Sequence, residues 1–359
     1  MVHAKDGGND LRTLITGACG YVGSLLVPQL LADGYHVVGY DVQWFGDGYL
    51  PKGNDHFTSV RADIRDIDTF RNEVRGCDAV VHMACVSNDH SCQLDEALST
   101  SINYDAFEPL VIAAKEAGVK RFIYCSSSSV YGVSDAPEVR EDHELKPLTL
   151  YNRYKGMCEP RLFKHQSPDF TCVTIRPATV CGYAPRMRFD LTVNILTAHA
   201  VLNKVITVFG GEQSRPNLHI RDMVDCYRML LQAPAEKIAG QVFNVGAQNM
   251  KVRDIAFIVQ DVVKRETGID AAVDTQESTD KRSYVINSDK IRDVLGFTPQ
   301  HTVEDAIRDL CVWFKAGMWK DALTNPQFSN MKQLVDKGFA VKDSLASYRK
   351  DRYPTKEAT

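Results

Sequence analysis

A chain of 359 residues is long enough to bury a large core, as one large domain or as two closely joined ones. Apolar residues make up 44% of it and charged residues 25%, the balance of an ordinary globular protein. A net charge of -4 gives no general affinity for nucleic acid or anionic membranes, so neither is expected as a partner. The first ten residues hold no apolar signal core, and no apolar run is long enough to span a bilayer, so we expect a cytoplasmic protein.

The first half of the chain alternates strand-like and helix-like segments. Apolar residues at Val22, Leu25, Leu26 and Leu30 have helical spacing, and the runs on either side of them are typical of strands. Apolar strands separated by helices indicate a parallel sheet covered on both faces, which is a doubly wound α/β (Rossmann) fold. In chain order we predict strand 12–17, helix 22–32, strand 36–41, strand 57–63, helix 66–74, strand 79–85, helix 95–117, strand 121–127, a helix around Tyr151 and strand 171–177.

The pattern becomes irregular after Pro177. Short strands mix with longer helices, which predicts a smaller, mixed α/β C-terminal substrate lobe. Because no linker separates the halves, we expect residues 1–180 to form the Rossmann domain and residues 181–359 to form mainly the substrate lobe, partly interleaved with the first. The predicted elements of this lobe are strands 206–210 and 241–246 and helices 222–232, 252–266 and 303–316.

Ten cysteines raise the question of a metal site or a disulfide framework. No two of them form a C-x-x-C pair, and Cys85, Cys125 and Cys172 lie in apolar strand-like runs, where cysteine acts as a small hydrophobic residue. The histidines show no metal-ligand spacing. Reduced core thiols are therefore favoured over disulfides or zinc, and no metal is expected.

A glycine-rich turn, TGACGYVG, follows the first predicted strand and precedes the first predicted helix. Gly17, Gly20 and Gly23 would allow a tight turn, a close approach to a pyrophosphate, and close packing of the helix on the strand. Tyr21 and Val22 belong to the same turn. The helix N-terminus offers free N–H groups and partial positive charge to phosphates. In this context the turn favours dinucleotide binding over a plain tight turn.

Asp41 ends the second predicted strand, where a carboxylate can accept hydrogen bonds from both hydroxyls of an adenosine ribose. A carboxylate would also repel a 2′-phosphate, and no lysine or arginine directly follows it. We therefore expect NAD rather than NADP as the cofactor. The alternative is a solvated aspartate at a strand end.

Tyr151 is the only tyrosine with a lysine, Lys155, four residues later. Positions i and i+4 share one face of a helix, so the two side chains can point to one place. Spacing alone does not distinguish a catalytic pair from two residues on the solvent-exposed face of a surface helix.

Taken together, the motifs resemble those of the extended short-chain dehydrogenase/reductases, the NAD-dependent nucleotide-sugar epimerase and dehydratase group. The resemblance covers nearly the whole chain. Each motif alone is weak, but their order and number make the set specific. The matching segments are TGACGYVG, ADIRD, VVHMAC, YCSSSSVYG, YNRYK, IRPATVCG, FGGEQSRPNLHIRDMV and FNVG.

The resemblance implies roles for residues along the cofactor. One departure is Cys85, which stands where the family usually has alanine. The residues expected to contact NAD, besides the glycine turn and Asp41, are Asp63 and Ile64 at the adenine, Met83, Ala84 and Cys85 at the ribose-phosphate side, and Asn103 near the nicotinamide ribose.

The resemblance also implies that Tyr151 is the catalytic base and that Lys155 holds the nicotinamide ribose. Ser127 takes the place of the family's catalytic serine or threonine, and Ser129 that of a second hydroxyl near the substrate. Tyrosine has a pKa near 10, and lowering it to about 7 takes about 4 kcal/mol. We expect the Lys155 ammonium and the cationic nicotinamide to supply this by stabilising the phenolate.

For the substrate, the resemblance implies a nucleotide-diphosphate sugar. Arg215 and Arg282 match arginines that hold the diphosphate, although either could be a solvated surface residue. Thr179 replaces an asparagine of galactose-type 4-epimerases, so the sugar and base stay open. Arg186 and Arg188 are further candidates facing the substrate lobe.

The function expected from this set is an NAD-dependent nucleotide-sugar epimerase that oxidises a hydroxyl, at C4, to a transient keto group. One alternative is a net 4-dehydrogenase, for which the resemblance indicates GDP-linked heptoses as substrates. Another is a catalytically silent NAD-binding sensor. Dehydratases of the family carry an Asp-Glu pair where Ser128 and Ser129 stand, so elimination of water is not expected. By the same resemblance we expect a homodimer.

Overall fold

The structure, a computed structural model, describes residues 10–278 and 283–338. Its strands are β1 (Arg12–Thr16), β2 (His36–Asp41), β3 (Phe57–Arg61), β4 (Ala79–His82), β5 (Arg121–Cys125), β6 (Thr171–Pro177), β7 (Thr179–Cys181), β8 (Val205–Phe209), β9 (Ser214–His219), β10 (Gln241–Val245), β11 (Gln248–Lys251) and β12 (Ala272–Gln276). Its helices are α1 (Gly23–Ala32), α2 (Ile67–Glu73), α3 (Asp89–Leu94), α4 (Glu96–Thr100), α5 (Phe107–Glu116), α6 (Leu150–Phe163), α7 (Thr192–Ala198), α8 (Ile220–Gln232), α9 (Ala235–Ile238), α10 (Val252–Thr267), α11 (Asp289–Leu295), α12 (Val303–Lys315) and α13 (Asn330–Asp336).

Seven of the strands in the described part of the chain form one parallel sheet in the order β10-β6-β5-β4-β1-β2-β3. Strand order reverses between β1 and β4, as in a doubly wound sheet. Every residue of β6 is buried, because both faces of the sheet are covered by helices. The predicted Rossmann fold is therefore confirmed.

The two faces of the sheet carry separate apolar cores. On one face, α1 and α8 pack through residues such as Leu26, Leu30 and Tyr227. On the other face, α2, α5 and α6 pack through residues such as Phe70 and Leu110. Successive side chains of a strand point to opposite faces of the sheet, so the β-branched and aromatic residues of the strands contribute to both cores.

The long helix predicted for residues 95–117 is interrupted. Asp95 caps α4, a π-helical turn covers Ser101–Asp105, and α5 begins at Phe107. The wide turn carries the buried Asn103 amide, which accepts a hydrogen bond from Val86 N at 2.8 Å and donates one to Val86 O at 2.9 Å. Helical periodicity continues through such a turn, so sequence spacing does not reveal it.

The smaller lobe contains a mixed sheet, β11-β9-β7, and a parallel pair, β12-β8. Helices α7, α10 and α12 enclose its apolar core, which includes Ile206, Val259 and Ile307. Two elements from the second half of the chain return to the first lobe: β10 pairs with β6, and α8 packs on α1. The chain thus passes from one lobe to the other more than once.

A buried ion pair joins α6 to β6. The Arg176 guanidinium donates from Nε to Glu159 Oε1 at 3.0 Å and from Nη2 to Glu159 Oε2 at 2.6 Å, and both side chains are about 5% exposed. Arg176 also donates to the Tyr131 hydroxyl at 2.8 Å, and Glu159 accepts from Ser126 Oγ at 2.6 Å. The pair therefore fixes α6, β6 and the segment after β5 to one another.

None of the helices in residues 10–278 and 283–338 combines the length and the apolar character needed to cross a bilayer.

Replacing Glu159 by glutamine should lower the free energy of unfolding by about 3–5 kcal/mol, because it leaves the Arg176 charge buried without its counter-ion. Urea denaturation followed by circular dichroism measures the change. The exposed pair Arg265–Asp261 on α10 is the control, since Asp261→Ala should cost less than about 1 kcal/mol. The double variant Glu159→Leu/Arg176→Met should recover much of the loss; equal instability of double and single variants would show that packing, not charge, is responsible.

Candidate active site

A cavity of about 420 Å³ opens at the carboxyl ends of the parallel strands, beside the point where strand order reverses between β1 and β4. Ligands of doubly wound proteins bind at this place, because connections leave the sheet on opposite faces there and open a crevice. The sequence-predicted residues that line the cavity are Gly17, Gly20, Tyr21, Val22, Gly23, Asp41, Asp63, Ile64, Met83, Ala84, Cys85, Ser127, Ser129, Tyr151, Lys155, Thr179 and Arg215.

The glycine turn at the end of β1 has no room for side chains. Gly17 has a φ of +78°, and a Cβ there would lie 3.0 Å from Ala84 N. A Cβ on Gly23 would lie 2.5 Å from the Ala18 carbonyl oxygen, so α1 can start against the turn only at a glycine. The turn leaves its backbone open toward the cavity, ahead of the N-terminus of α1. These features fit the pyrophosphate of a dinucleotide.

Tyr21 ties the glycine turn to the other lobe. Its hydroxyl donates to the Gly182 carbonyl at 2.5 Å and accepts from Asn194 Nδ2 at 3.1 Å. The side chain is buried, so both bonds are made away from bulk water and hold the turn firmly. Tyr21 therefore joins the two lobes at the cavity wall.

Asp41, at the end of β2, accepts hydrogen bonds from two backbone N–H groups. Cys19 N lies 3.0 Å from Oδ2 and Gln43 N lies 2.7 Å from Oδ1. Burial raises the pKa of Asp41, and these two N–H groups and the charge of Arg186 oppose that rise. Each carboxylate oxygen keeps a further lone pair, so the group can also accept from a ribose hydroxyl.

Loops after β3 and β4 form the next part of the wall. Asp63 is held by Arg65, whose Nη2 lies 2.7 Å from Oδ2; despite burial, these hydrogen bonds lower the pKa of Asp63. Thr16 Oγ1 accepts from Met83 N and Ala84 N, both at 3.2 Å. These contacts bring the loop after β4 directly beside the glycine turn.

Asn103, predicted to lie near the nicotinamide ribose, is not among the residues lining this cavity. Its amide pairs with the backbone of Val86, behind the cavity wall. Arg282, predicted to hold a phosphate, lies outside the described residues.

Tyr151 and Lys155 project from α6, whose N-terminus is capped by Thr149. The Lys155 Nζ lies 5.8 Å from the centre of the Tyr151 ring and donates to the Cys125 carbonyl at 2.6 Å. Lys155 is only 5% exposed. Burial acts to lower its pKa, but the thiols of Cys85, Cys125 and Cys158 around it raise the pKa above the ordinary value, so the ammonium stays charged.

The protein groups around Tyr151 act on the pKa of its phenol. Burial, followed by the nearby thiols of Cys85, Cys125 and Cys92, raises its pKa well above 10. The groups of the protein thus favour the protonated phenol. The expected lowering depended on the Lys155 ammonium together with the cationic nicotinamide of the cofactor, and the protein groups alone do not include the second charge.

The serines after β5 form a connected set. Ser127 Oγ lies 2.7 Å from Ser129 Oγ, and Ser129 donates to Asn152 Oδ1 on α6. Because the proton of Ser129 points to Asn152, the Ser127 hydroxyl donates to Ser129 in this arrangement. Ser128 is buried, 3.3 Å from the Tyr284 hydroxyl. Asn152, next to Tyr151 in sequence, takes part in this hydrogen-bonded set, and the spacing of the motifs did not indicate it.

On the opposite wall, Thr179 begins β7 and Arg215 lies on β9, where it is buried. Both line the cavity, so the smaller lobe closes the crevice that the sheet opens.

Asp190 and Asn330 also line the cavity and were not assigned from the sequence, whereas Arg186 and Arg188 were candidates. Arg188 forms an ion pair with Asp190, with Nε 2.8 Å from Oδ1. Asp190 also accepts from the backbone N of Asn330 at 2.9 Å. Arg186, expected toward the substrate lobe, instead stacks on Phe45, just after β2, with its Cζ 3.7 Å from the ring centre. Helix α13, near the end of the described residues, adds Asn330 to the wall.

Comparisons with known proteins agree with this geometry. UDP-glucose 4-epimerase of Mycolicibacterium smegmatis is 29% identical over 323 residues, which are 85% of this chain and 99% of that protein. dTDP-glucose 4,6-dehydratase of Streptomyces griseus is 25% identical over 323 residues, 86% of this chain and 96% of that protein. The solved structure of UDP-glucuronic acid 4-epimerase from Bacillus cereus, in complex with UDP-glucuronic acid and NAD, superposes with a TM-score of 0.74 at 24% identity, covering 85% of this chain and 99% of that one.

A model of the family described as "NAD dependent epimerase/dehydratase family" matches residues 13–246, more than half of the chain. The matched span includes the glycine turn, Asp41, the serine segment and α6. The expectation of NAD as cofactor is confirmed by this match, since the family is NAD-dependent. The chain belongs to the NAD-dependent epimerase/dehydratase family, within the extended short-chain dehydrogenase/reductases.

Proposed function

We propose that the protein is an NAD-dependent nucleotide-sugar epimerase that oxidises a sugar hydroxyl, at C4, to a transient keto group. The observation that carries this proposal is the meeting of Ser127, Tyr151 and Lys155 with the glycine turn in one cavity. A silent NAD-binding sensor would have no need of the tyrosine, the lysine and the serine together. Residues 1–180 would bind NAD and hold the catalytic groups, and residues 181–359 would mainly hold the sugar nucleotide.

In the proposed reaction Tyr151 takes the proton of the hydroxyl as the carbon–oxygen double bond forms. The glycine turn and Asp41 would hold NAD, which would supply the hydride acceptor for the same carbon. Ser127 hydrogen-bonds the reacting oxygen once its hydroxyl proton turns from Ser129 to the substrate, and Ser129 and Asn152 hold Ser127 close by. Because burial raises the pKa of Tyr151, the base role requires positive charge close to the phenol. Lys155, charged and 5.8 Å from the ring centre, contributes part of it, and the cofactor's nicotinamide contributes the rest.

Loss of water is not part of the proposal. It requires an acid for the leaving hydroxyl and a base for the adjacent proton, and Ser128 and Ser129 are neutral at the two positions concerned. The carboxylates that line the cavity are engaged elsewhere: Asp41 and Asp63 as described above, Asp190 with Arg188, and Asp89 with the Thr149 hydroxyl.

Arg215, buried in the opposite wall, is the proposed contact for the diphosphate of the nucleotide sugar, because guanidinium suits bidentate phosphate contacts. Thr179 would lie near the same ligand. The second candidate reaction is a net 4-dehydrogenation, with a GDP-linked heptose as one candidate substrate, in which the keto sugar and NADH are released.

We also propose that the protein acts in the cytoplasm as a homodimer. The dimer proposal is supported by α5 and α6, which pack side by side and expose Ile112 and Met157. All ten cysteines lie in the described residues and are free thiols, as expected in a reducing compartment.

Tyr151→Phe should lower turnover by about 10²- to 10⁴-fold while NAD affinity and thermal stability stay nearly unchanged, since only the proton-accepting oxygen is lost. Steady-state kinetics and calorimetric titration with NAD measure the two effects. Tyr154→Phe on the same helix is the matched control; its hydroxyl bonds Thr100 Oγ1 at 2.6 Å, away from the cavity, so turnover should persist. Lys155→Met should weaken both NAD binding and turnover. Full activity in Tyr151→Phe would end the proposal for this base.

Asp41→Asn should narrow the difference in affinity between NAD and NADP, because the negative charge that repels a 2′-phosphate is removed while an acceptor for Cys19 N remains. Asp41→Ala should narrow it too, with added loss of stability, because the N–H groups of Cys19 and Gln43 lose their acceptor. Calorimetric titration with both dinucleotides gives the ratio. Equal affinities in the unmutated protein would contradict the role given to Asp41.

Product mass separates the candidate reactions. Incubation with UDP-, GDP- and dTDP-sugars should give a product of unchanged mass with one inverted centre, identified by mass spectrometry and NMR. A loss of two hydrogens would establish the dehydrogenase instead. A loss of one water would contradict the reasoning on Ser128 and Ser129 and would make Asp89, whose charge acts on Tyr151, the first residue to replace.

A further inference from the structure

Arg186 is among the largest completely buried side chains of the described residues, with 1% exposure, and it lines the cavity. It lies in the segment between β7 and α7. Its guanidinium stacks on Phe45 and donates from Nη2 to Asn330 Oδ1 at 2.6 Å. Its Nε is buried and has no hydrogen-bond partner in the described part of the protein.

The charge of Arg186 is not matched by a carboxylate. Within residues 10–278 and 283–338, no acidic oxygen lies within ion-pair distance of its guanidinium, whereas buried Arg176 and Arg188 have Glu159 and Asp190. Asp190, the nearest candidate in sequence, is engaged with Arg188. Burial and the neighbouring Arg188 lower the pKa of Arg186 to about 9.

A buried cation without a counter-ion is costly, because the protein interior does not replace the solvation that water gave it. Such a group persists when it serves a ligand that brings the opposite charge. Arg186 lines the cavity and its Nε has no acceptor in the described part of the protein, so an acceptor brought by a ligand would satisfy it. The site therefore calls for an anionic group with several acceptor oxygens.

The position of Arg186 selects among the anionic groups that could enter the cavity. Its backbone N donates to Ser24 Oγ at 3.1 Å, and Ser24 follows Gly23 in the first turn of α1. Asp41, at the adenosine ribose position, is near enough for its charge to act on Arg186. Arg186 thus lies at the cofactor end of the cavity, beside the helix N-terminus where a pyrophosphate binds.

We propose that Arg186 binds the pyrophosphate of NAD, with Asn330 of α13 holding the guanidinium in place. This inference rests on the proposed NAD-dependent function and adds to the glycine turn a charged contact from outside the nucleotide-binding half. Asn330 also donates to Ser87 Oγ at 2.5 Å, so the contact is anchored to the loop after β4. Pyrophosphate oxygens neutralise the buried charge and accept the unused N–H group.

The test is calorimetric titration of the full-length Arg186→Met protein with NAD, ADP-ribose and adenosine. Methionine keeps the apolar stem without the charge. Affinity for NAD and ADP-ribose, which both carry the pyrophosphate, should fall by about 10- to 100-fold, while adenosine affinity stays unchanged. Exposed Arg265 on α10 is the control, since Arg265→Met removes an equal charge far from the cavity and should leave NAD affinity as it was.

A second variant keeps the arginine and changes only its surroundings. Asn330→Asp places a carboxylate against the guanidinium and should raise the melting temperature of the protein measured without added nucleotide, while lowering affinity for NAD. Arg188→Met should lower the melting temperature, because it leaves the buried charge of Asp190 without its counter-ion.

The outcomes separate this inference from the function on which it rests. If the unmutated protein does not bind NAD, the proposed function fails. If it binds NAD and Arg186→Met binds equally well, the inference is overturned. It is also overturned if adenosine binding falls in parallel, if only nucleotide-sugar affinity falls, or if NADP binds the unmutated protein as tightly as NAD, which would assign Arg186 to a 2′-phosphate.

Discussion

The site depends on the buried ion pair between Glu159 and Arg176. Strands β5 and β6 run side by side in the sheet, but α6 lies on the face of the sheet and could slide along it if only apolar contacts held it there. Two directed hydrogen bonds at 2.6 and 3.0 Å remove that freedom. Because Glu159 also binds Ser126, and Arg176 binds Tyr131, the serine segment is fixed to the same helix. Tyr151, Lys155 and Ser127 therefore keep their relative positions although they come from two different elements.

The two lobes contribute different things to the cavity. The sheet and its glycine turn provide shape, backbone donors and the proposed catalytic groups, whereas the second half of the chain provides the arginines. Tyr21 joins them, since its hydroxyl bonds Gly182 and Asn194 of the second half. The return of β10 to the main sheet binds the lobes further. A ligand that carries phosphates would lie between a helix N-terminus and guanidinium groups, so that it meets positive charge on both sides.

Burial and tertiary contacts act on side chains in ways that residue types alone do not indicate. A lysine four residues from a tyrosine favours a lowered phenol pKa, whereas desolvation of Tyr151 raises it and is the largest effect among the protein groups. Asn103 has the residue type and approximate position of a cofactor contact, yet the π-helical turn directs it to Val86. Ser129 has the position of a substrate contact, and in the fold its hydroxyl donates to Asn152. In each case the neighbours of a side chain, which spacing does not supply, decide what it does.

The sequence by itself determined the parallel sheet, the glycine turn, the end of β2 at Asp41 and the face shared by Tyr151 and Lys155. These features follow from local rules: apolar periodicity, the space a glycine leaves, and the four-residue repeat of a helix. Only the tertiary structure decided which of two arginines, two positions apart in APRMRFD, is neutralised. Asp190 bonds Arg188, while Arg186 meets Asn330, 144 positions along the chain, and Phe45 from beside β2. Charge compensation depends on distances between remote segments, and the packing of the two lobes sets those distances.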